Sequence, residues 1–127
     1  MVFPLEYADY ALLFLRIAIA AIFIKHGLPK ITGAKTMGPM MGMPSPAVLL
    51  LGLVELLSGL AVLLGIGEQI GAGLLAIVML GAMWYKIVKW KVPFAAHDKN
   101  GWEFDLILLA ASILLLTMGG GELVLWR

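Results

Sequence analysis

The sequence contains no cysteine and few charged residues, and both features exclude classes of function. Without cysteine the chain forms no disulfide, thiol relay, thiolate zinc site or iron–sulfur cluster. Charged residues make up 13% of the 127, about half the share in an ordinary soluble domain. The net charge of +1 gives no basic surface for nucleic acid. A redox role would therefore need a bound cofactor, a quinone or a partner protein.

Hydrophobic residues are abundant, at 62% of the chain with a mean hydropathy of +1.02. Four apolar runs, at about 8–27, 46–65, 69–88 and 102–118, each approach the ~20 residues that a membrane-spanning helix needs. Unbroken aliphatic runs favour helices over barrel strands. Short connections predict antiparallel neighbours. We expect an all-α membrane protein, an antiparallel up-down bundle of four transmembrane helices in one domain over 1–127.

The lysines predict the orientation of this bundle. All of them flank the first and third loops, whereas Arg127 alone lies on the other side. By the positive-inside rule, loops one and three are cytoplasmic and both termini lie outside a multi-pass protein of the cell membrane. The N-terminal residues carry acids and no base, unlike a signal peptide, so we expect the first run to be retained.

The first loop is rich in methionine over residues 36–44. Thioethers suit soft Cu(I). More often such a segment is an adaptable, partly immersed surface. The sequence favours the second interpretation and leaves the first open.

Arg16 lies inside the first apolar run, where an arginine costs about 2.5–3.5 kcal/mol. Counted from Ala8, it is about 12 Å into the membrane at 1.5 Å per residue. Glu55 is the only acid inside the second run and lies about 13.5 Å from the opposite face, counted from Pro46. Across a core ~30 Å thick the two differ in depth by roughly 5 Å. We therefore predict an Arg16–Glu55 ion pair.

Small residues share the helix face of Glu55, because Gly52, Ser58 and Gly59 follow offsets of three and four. They allow close helix approach, so Glu55 should point into the bundle. The ion pair is then either a structural element that fixes helix register or the polar floor of a binding cavity. These two interpretations are compatible.

His26 lies on the same side of the first helix as Arg16 and Phe23, whereas Lys25 points away and should extend to the surface. At the same boundary the sequence places His97, Glu103 and Asp105. Histidines and carboxylates that converge there could transfer protons or hold an anion.

A simpler interpretation assigns the acids to helix capping. Asn100 and Glu103 have the spacing of a capping motif, and Asp105 would lie in the first helical turn. No metal site is predicted, since the two histidines form no i, i+4 ligand pair.

The motif His26-Gly27-x-x-Lys30, preceded by Arg16 and followed by Glu55-x-x-Ser58-Gly59 and Gly65, resembles the DoxX family. An acidic start to the fourth run and terminal glycines complete the pattern across nearly the whole chain. The resemblance implies a small four-helix integral membrane protein. Family members include subunits of a thiosulfate:quinone oxidoreductase and membrane anchors of redox-defence complexes. The family often ends in Ser-Leu-Asp after the glycines, which residues 122–125 lack.

The resemblance also implies roles for individual residues within a quinone-linked oxidoreductase. Arg16 and Lys30 would hold an anion or a quinone oxygen, Glu55 would orient Arg16, and His26 would shuttle protons. The further positions implied are Glu103 for binding and Gly27 and Gly59 for structure.

Two other functions stay open at this stage: a non-catalytic scaffold in the lipid bilayer that anchors soluble redox-enzyme subunits, and a carrier of protons or small solutes. The sequence does not decide whether the chain forms a homo-oligomer.

Overall fold

The computed structural model describes residues 4–125, and every regular element in that part of the chain is a helix. The helices are α1 (Tyr7–Thr32), α2 (Ala34–Met41), α3 (Ser45–Leu64), α4 (Glu68–Trp84), a π-helix (Tyr85–Lys89) that continues α4, and α5 (Trp102–Met118). For these residues the predicted all-α class is confirmed.

Three helical segments are long and apolar enough to cross a membrane, namely Tyr7–Thr32, Ser45–Leu64 and Glu68–Lys89. The last combines α4 with the π-helix. The fourth predicted run corresponds to α5, whose 17 residues are at the lower limit for a spanning helix. The chain thus has the helices of a membrane protein within its described part.

The first helix is longer than predicted. The sequence predicted an end at Gly27, because Pro29 disfavours helical continuation, but α1 runs through Pro29 to Thr32. It ends where the N–H of Gly33 donates to the Pro29 carbonyl at 2.8 Å. Proline is tolerated inside membrane helices when neighbouring groups satisfy the freed backbone. This extension brings Lys30, which lies beyond the predicted end, into the helix.

The methionine-rich segment folds as the short helix α2 rather than a loop. It ends at Gly42, whose φ of +70° is the left-handed conformation that favours glycine. The N–H of Met43 then donates to the Gly38 carbonyl at 2.9 Å, which closes the helix end. Lys89 of the π-helix donates to the Gly42 carbonyl at 3.4 Å. α2 therefore lies at the same end of the molecule as the π-helix.

Helices α1 and α3 approach each other most closely at two glycines. A Cβ atom on Gly52 would lie 2.7 Å from Lys30 Cβ and 2.8 Å from the Gly27 carbonyl oxygen. A Cβ on Gly27 would lie 2.9 Å from the Gly52 oxygen. Farther along α3, Gly59 faces Phe23 with ordinary contact distances near 3.5 Å. The predicted small-residue face of α3 is therefore confirmed, and the two helices run antiparallel.

The interior is built from α1, α3, α4 and α5. It contains Ile19, Phe23, Val62, Ala72, Leu75, Met79, Leu108 and Leu115. Large apolar side chains also cover the outside of these helices, with Phe14 and Ile70 both 75% exposed. Such an apolar exterior is what lipid contact requires and water disfavours.

The predicted cap of α5 is wrong. Gly101 occupies the N-cap position, and neither Asn100 nor Glu103 caps the helix with its side chain. Instead the carbonyls of Pro93 and Phe94 accept the first N–H groups, from Trp102 at 3.3 Å and Glu103 at 3.1 Å. The preceding loop thus supplies the acceptors that the predicted capping motif would have provided.

Candidate functional site

Arg16 is buried among backbone carbonyls at one end of the molecule, with 1% of its surface exposed. Its Nε donates to the Val62 oxygen and its Nη2 to the Leu63 oxygen, both at 2.8 Å. Its Nη1 donates to Leu123 at 2.6 Å and to Gly120 at 3.2 Å. One guanidinium group therefore joins the end of α3 to the C-terminal segment.

These contacts complete the hydrogen bonding of the C-terminus of α3. The last four carbonyls of a helix have no intrahelical partner. The Ala61 carbonyl accepts from the N–H groups of Gly65 and Ile66. Arg16 donates to the carbonyls of Val62 and Leu63. The Leu64 carbonyl accepts from the Leu125 N–H at 2.8 Å. A positive charge is also favourable at this end of the helix dipole. Arg16 therefore caps α3, and the glycine-rich tail completes the cap.

The predicted Arg16–Glu55 pair is wrong. Glu55 faces Gly27, and Arg16 faces Gly65, where a Cβ would lie 2.9 Å from Arg16 Nη2. Glu55 is about 10 Å along α3 from the carbonyl of Val62 that Arg16 contacts. The depth estimate failed because it assumed that the two helices begin and end at the same levels, whereas α1 has 26 residues and α3 has 20.

Glu55 pairs instead with Lys30. The Nζ of Lys30 lies 3.1 Å from each carboxylate oxygen of Glu55 and 3.1 Å from the backbone oxygen of His26. Glu55 is 3% exposed and Lys30 is 9% exposed. The prediction that Glu55 points into the bundle is therefore confirmed, with a different partner.

This pair lines a cavity of about 450 Å³. Its walls come from α1, α3, α4, α5, the π-helix and the methionine segment, and its surface is mainly apolar. Met37, Met41 and Met43 form part of the wall, as does Asn100 near the start of α5. Cavities of this size with few polar groups are typical of small-molecule sites.

A second ion pair lines the same cavity. Lys86 Nζ of the π-helix lies 2.7 Å from Asp105 Oδ2 of α5, and Asp105 is 4% exposed. The sequence analysis did not single out Lys86 as a site residue, and it gave Asp105 two possible roles, in a polar cluster at the helix boundary or in the helix dipole. The available signal was a base near the end of the third run and an acid at the start of the fourth, since antiparallel neighbours bring these ends together.

His26 lies near both ion pairs. Its ring centroid is 5.8 Å from that of Phe104, and it is within electrostatic range of Lys30, Lys86 and Asp105. Its side chain lines the cavity. Lys25 is exposed, as predicted.

Of the remaining predicted residues, several lie away from this cavity. Arg16 is at the other end of the helices, and Glu103 is exposed beside a separate surface depression. His97 is exposed as well. The structure thus brings together His26, Lys30 and Glu55 but separates them from Arg16 and Glu103. Gly27 lies directly behind the pair, against Glu55 Cβ.

No group of three or more His, Asp or Glu side chains within residues 4–125 is arranged to hold a metal ion. The cavity contains two ion pairs, the imidazole of His26 and a mainly apolar wall. They can hold an oxygen atom by lysine donation, accept a hydroxyl at a carboxylate and move a proton at the imidazole. These features define a helical membrane protein with a polar site in a cavity between its helices.

Comparison with known proteins places the chain within a family. The family model described as DoxX matches residues 11–90. A Bacillus subtilis (strain 168) protein named "Putative oxidoreductase CatD" is 34% identical over 116 residues, which cover 89% of this chain and 82% of that protein. A Haemophilus influenzae protein described as uncharacterized is 27% identical over 122 residues, which cover 94% of this chain and 91% of that protein. No solved structure matches the chain.

The chain belongs to the DoxX family, as the sequence resemblance predicted. The structure places the motif His26-Gly27-x-x-Lys30 against Glu55, so two separated parts of the family pattern meet at one ion pair.

Proposed function

We propose that this protein is the membrane component of an oxidoreductase and that its cavity binds the head group of a quinone. The observation that carries the proposal is the Lys30–Glu55 pair at the wall of a mainly apolar cavity, next to His26. The name of the Bacillus subtilis relative supports a role in oxidation and reduction.

The cavity fits a quinone in size and chemistry. Its volume of about 450 Å³ falls in the range of pockets for small organic molecules, and an apolar wall suits a substituted ring. A quinone, when bound, supplies two-electron chemistry coupled to proton uptake and release. The groups that would hold its oxygens are Lys30 and Lys86, which are the donors among the buried pairs.

Each side chain of the site would then have a separate role in binding the quinone or moving a proton. Lys30 donates to a ligand oxygen while Glu55 keeps the ammonium in place. His26 is within electrostatic range of both pairs, and its imidazole can take up or release a proton there. Arg16 is not part of this site and stabilises the opposite end of the helices.

A thermal-shift experiment tests the proposal. Duroquinone added to the purified protein in detergent should raise the melting temperature, because a ligand that binds only the folded state stabilises it by mass action. His26→Ala should reduce the shift while leaving the unliganded protein folded, since His26 makes no side-chain ion pair among the described residues.

The matched control is Lys25→Ala, which removes a neighbouring exposed charge outside the cavity wall and should keep the full shift. Native mass spectrometry of protein extracted with lipid should also detect bound quinone. A wild-type protein that neither shifts with duroquinone nor retains any quinone would contradict the proposal and favour the non-catalytic scaffold.

We further propose that α5 is the fourth membrane span, that the chain is an antiparallel four-helix bundle and that loops one and three are cytoplasmic. Two contacts support this arrangement. The Glu122 N–H donates to Asp9 Oδ1 at 2.9 Å, so the start of α1 contacts the segment that follows α5. Gln69 at the start of α4 donates to the Leu116 oxygen near the end of α5 at 2.8 Å, so these helices are antiparallel.

Single cysteines introduced into this cysteine-free chain test the topology. In intact cells, an impermeant maleimide should label Glu6→Cys and Glu122→Cys but not Thr36→Cys or Lys99→Cys. The latter two should react only after permeabilisation. Labelling of Lys99→Cys and Glu122→Cys from the same face would show that α5 does not cross the membrane.

A further inference from the structure

A second cavity, of about 430 Å³, is open to the surface beside the start of α5. It is the surface depression described above and is separate from the proposed quinone site. Its wall combines charged or polar side chains with apolar ones, namely Lys99, Asn100 and Glu103 with Ala96, Phe104 and Ile107. A ligand that fills it therefore needs both a charged part and an apolar part.

The charged and apolar parts of the wall follow each other along the axis of α5. Glu103 is in the first turn of the helix, and Ile107 lies one turn deeper on the same face, because residues four apart share a face. Ile107 is 65% exposed, so this face is turned outward. With α5 as the fourth span, Ile107 contacts acyl chains while Lys99 and Glu103 lie at the level of the lipid head groups. Phe94 and Trp102, whose ring centroids are 4.6 Å apart, indicate the same level, since aromatic rings are enriched at the membrane interface.

The cavity is preformed by a tight contact between the third loop and the start of α5. The carbonyls of Pro93 and Phe94 accept the N–H groups of Trp102 and Glu103. A Cβ atom on Gly101 would overlap the Phe94 carbonyl and lie 2.8 Å from the Pro93 oxygen. The backbone of the loop thus lies directly against the helix, which fixes the two walls of the cavity relative to each other.

The two charges of this cavity are accessible to a ligand. Lys99 contacts Asp98 only loosely, at 3.9 Å, and its side chain is 55% exposed. Glu103 is exposed and forms no ion pair with any residue in the described part of the chain. The cavity therefore presents one cation and one anion that do not pair with each other.

We propose that this cavity binds a phospholipid whose head group carries a phosphate and a primary ammonium, as in phosphatidylethanolamine. Lys99 donates to the phosphate, the ammonium donates to Glu103, and an acyl chain lies along Phe104 and Ile107. Phosphatidylcholine has the same charges but no N–H donor, and phosphatidylglycerol has no cation, so neither satisfies both residues. The inference goes beyond the quinone site and uses only the proposed membrane span of α5.

Native mass spectrometry of the delipidated full chain in detergent measures this preference. The protein is titrated separately with phosphatidylethanolamine, phosphatidylcholine and phosphatidylglycerol that carry the same oleoyl chains. Wild-type protein should bind phosphatidylethanolamine about three- to fivefold more tightly than phosphatidylcholine, which is the effect of one accessible ion pair.

Variants assign the preference to the two charged residues. Glu103→Gln should bring the ratio of phosphatidylethanolamine to phosphatidylcholine affinity close to one. Lys99→Gln should weaken all three phospholipids and keep the ratio. The matched controls are Glu6→Gln and Lys25→Gln, which remove an exposed acid and an exposed base outside this cavity and should change neither quantity.

A wild-type ratio near one, or a preference that survives Glu103→Gln, would overturn the inference. Glycerophosphoethanolamine, which has the head group without acyl chains, should not displace the lipid at equal concentration. Displacement would assign the cavity to a soluble phosphate ester and would overturn the lipid assignment as well. None of these outcomes affects the proposed quinone site, and the cysteine labelling described above tests the span of α5 separately.

Discussion

Replacement of Arg16 by methionine should cause the largest loss of stability of any single substitution in this chain. The change removes the donors for four backbone carbonyls, two at the end of α3 and two in the C-terminal segment. A buried polar group left unsatisfied costs about 1–3 kcal/mol, and two of the four hydrogen bonds, those to Val62 and Gly120, are fully buried. We expect a loss of about 3 kcal/mol or more in the free energy of unfolding, measured by thermal or denaturant unfolding in detergent.

Two comparisons identify the cause of this loss. Arg16→Lys keeps the charge but cannot reproduce the planar fork that serves both segments, so it should recover only part of the stability. Lys25→Met on the same helix should change stability by less than about 0.5 kcal/mol, because Lys25 is exposed. An Arg16→Met protein as stable as the wild type would show that the carbonyls find other partners.

The Arg16 contacts also predict independence from Glu55. The residues belong to opposite ends of α3, so Arg16→Met and Glu55→Gln should have additive effects within about 0.5 kcal/mol. The sequence analysis predicted the reverse. It recognised correctly that a buried arginine needs partners, but it considered only acids, and the partners are main-chain carbonyls that every sequence contains.

Register is the property that the sequence predicted least well. The bounds of α5 could be predicted because an acidic first turn opens it and Gly119, at φ +78°, follows its last residue. The end of α1 could not, because Pro29 is a poor indicator of a helix end when tertiary contacts support the backbone. The five residues 28–32 that lie beyond the predicted end include Lys30, the residue that pairs with Glu55.

The site was predicted in part for a related reason. His26, Lys30 and Glu55 lie on helices whose spacing is regular, so a family pattern could bring them together. Lys86 depends on the π-helix, and periodicity at 100° per residue does not anticipate a local change to the wider turn. The sequence also gave no indication that Met37 and Met41 of α2 line the cavity, whereas Met40 of the same helix is exposed.

The second large effect concerns the Lys30–Glu55 pair. Lys30 is 9% exposed, and its ammonium contacts both carboxylate oxygens of Glu55. Lys30→Met should therefore leave a buried carboxylate without its cation. Breaking such a pair costs about 3–5 kcal/mol in soluble proteins, and polar partners in membranes have been worth less, so we expect a loss of about 2–3 kcal/mol.

The double-mutant cycle separates this pair from simple loss of packing. Glu55→Gln alone leaves Lys30 with the His26 carbonyl as its remaining acceptor and should also destabilise the protein. Lys30→Met combined with Glu55→Gln removes both charges and should recover stability, with a coupling of at least about 1 kcal/mol in unfolding experiments. The exposed pair Asp98–Lys99, at 3.9 Å, is the matched control and should show no coupling. The doubly substituted protein should nevertheless lose the rise in melting temperature on addition of duroquinone, because Lys30 no longer donates to the ligand. A double variant that is stable and still binds duroquinone as the wild type does would assign the pair to the fold alone and leave Lys86 as the remaining lysine donor for the ligand.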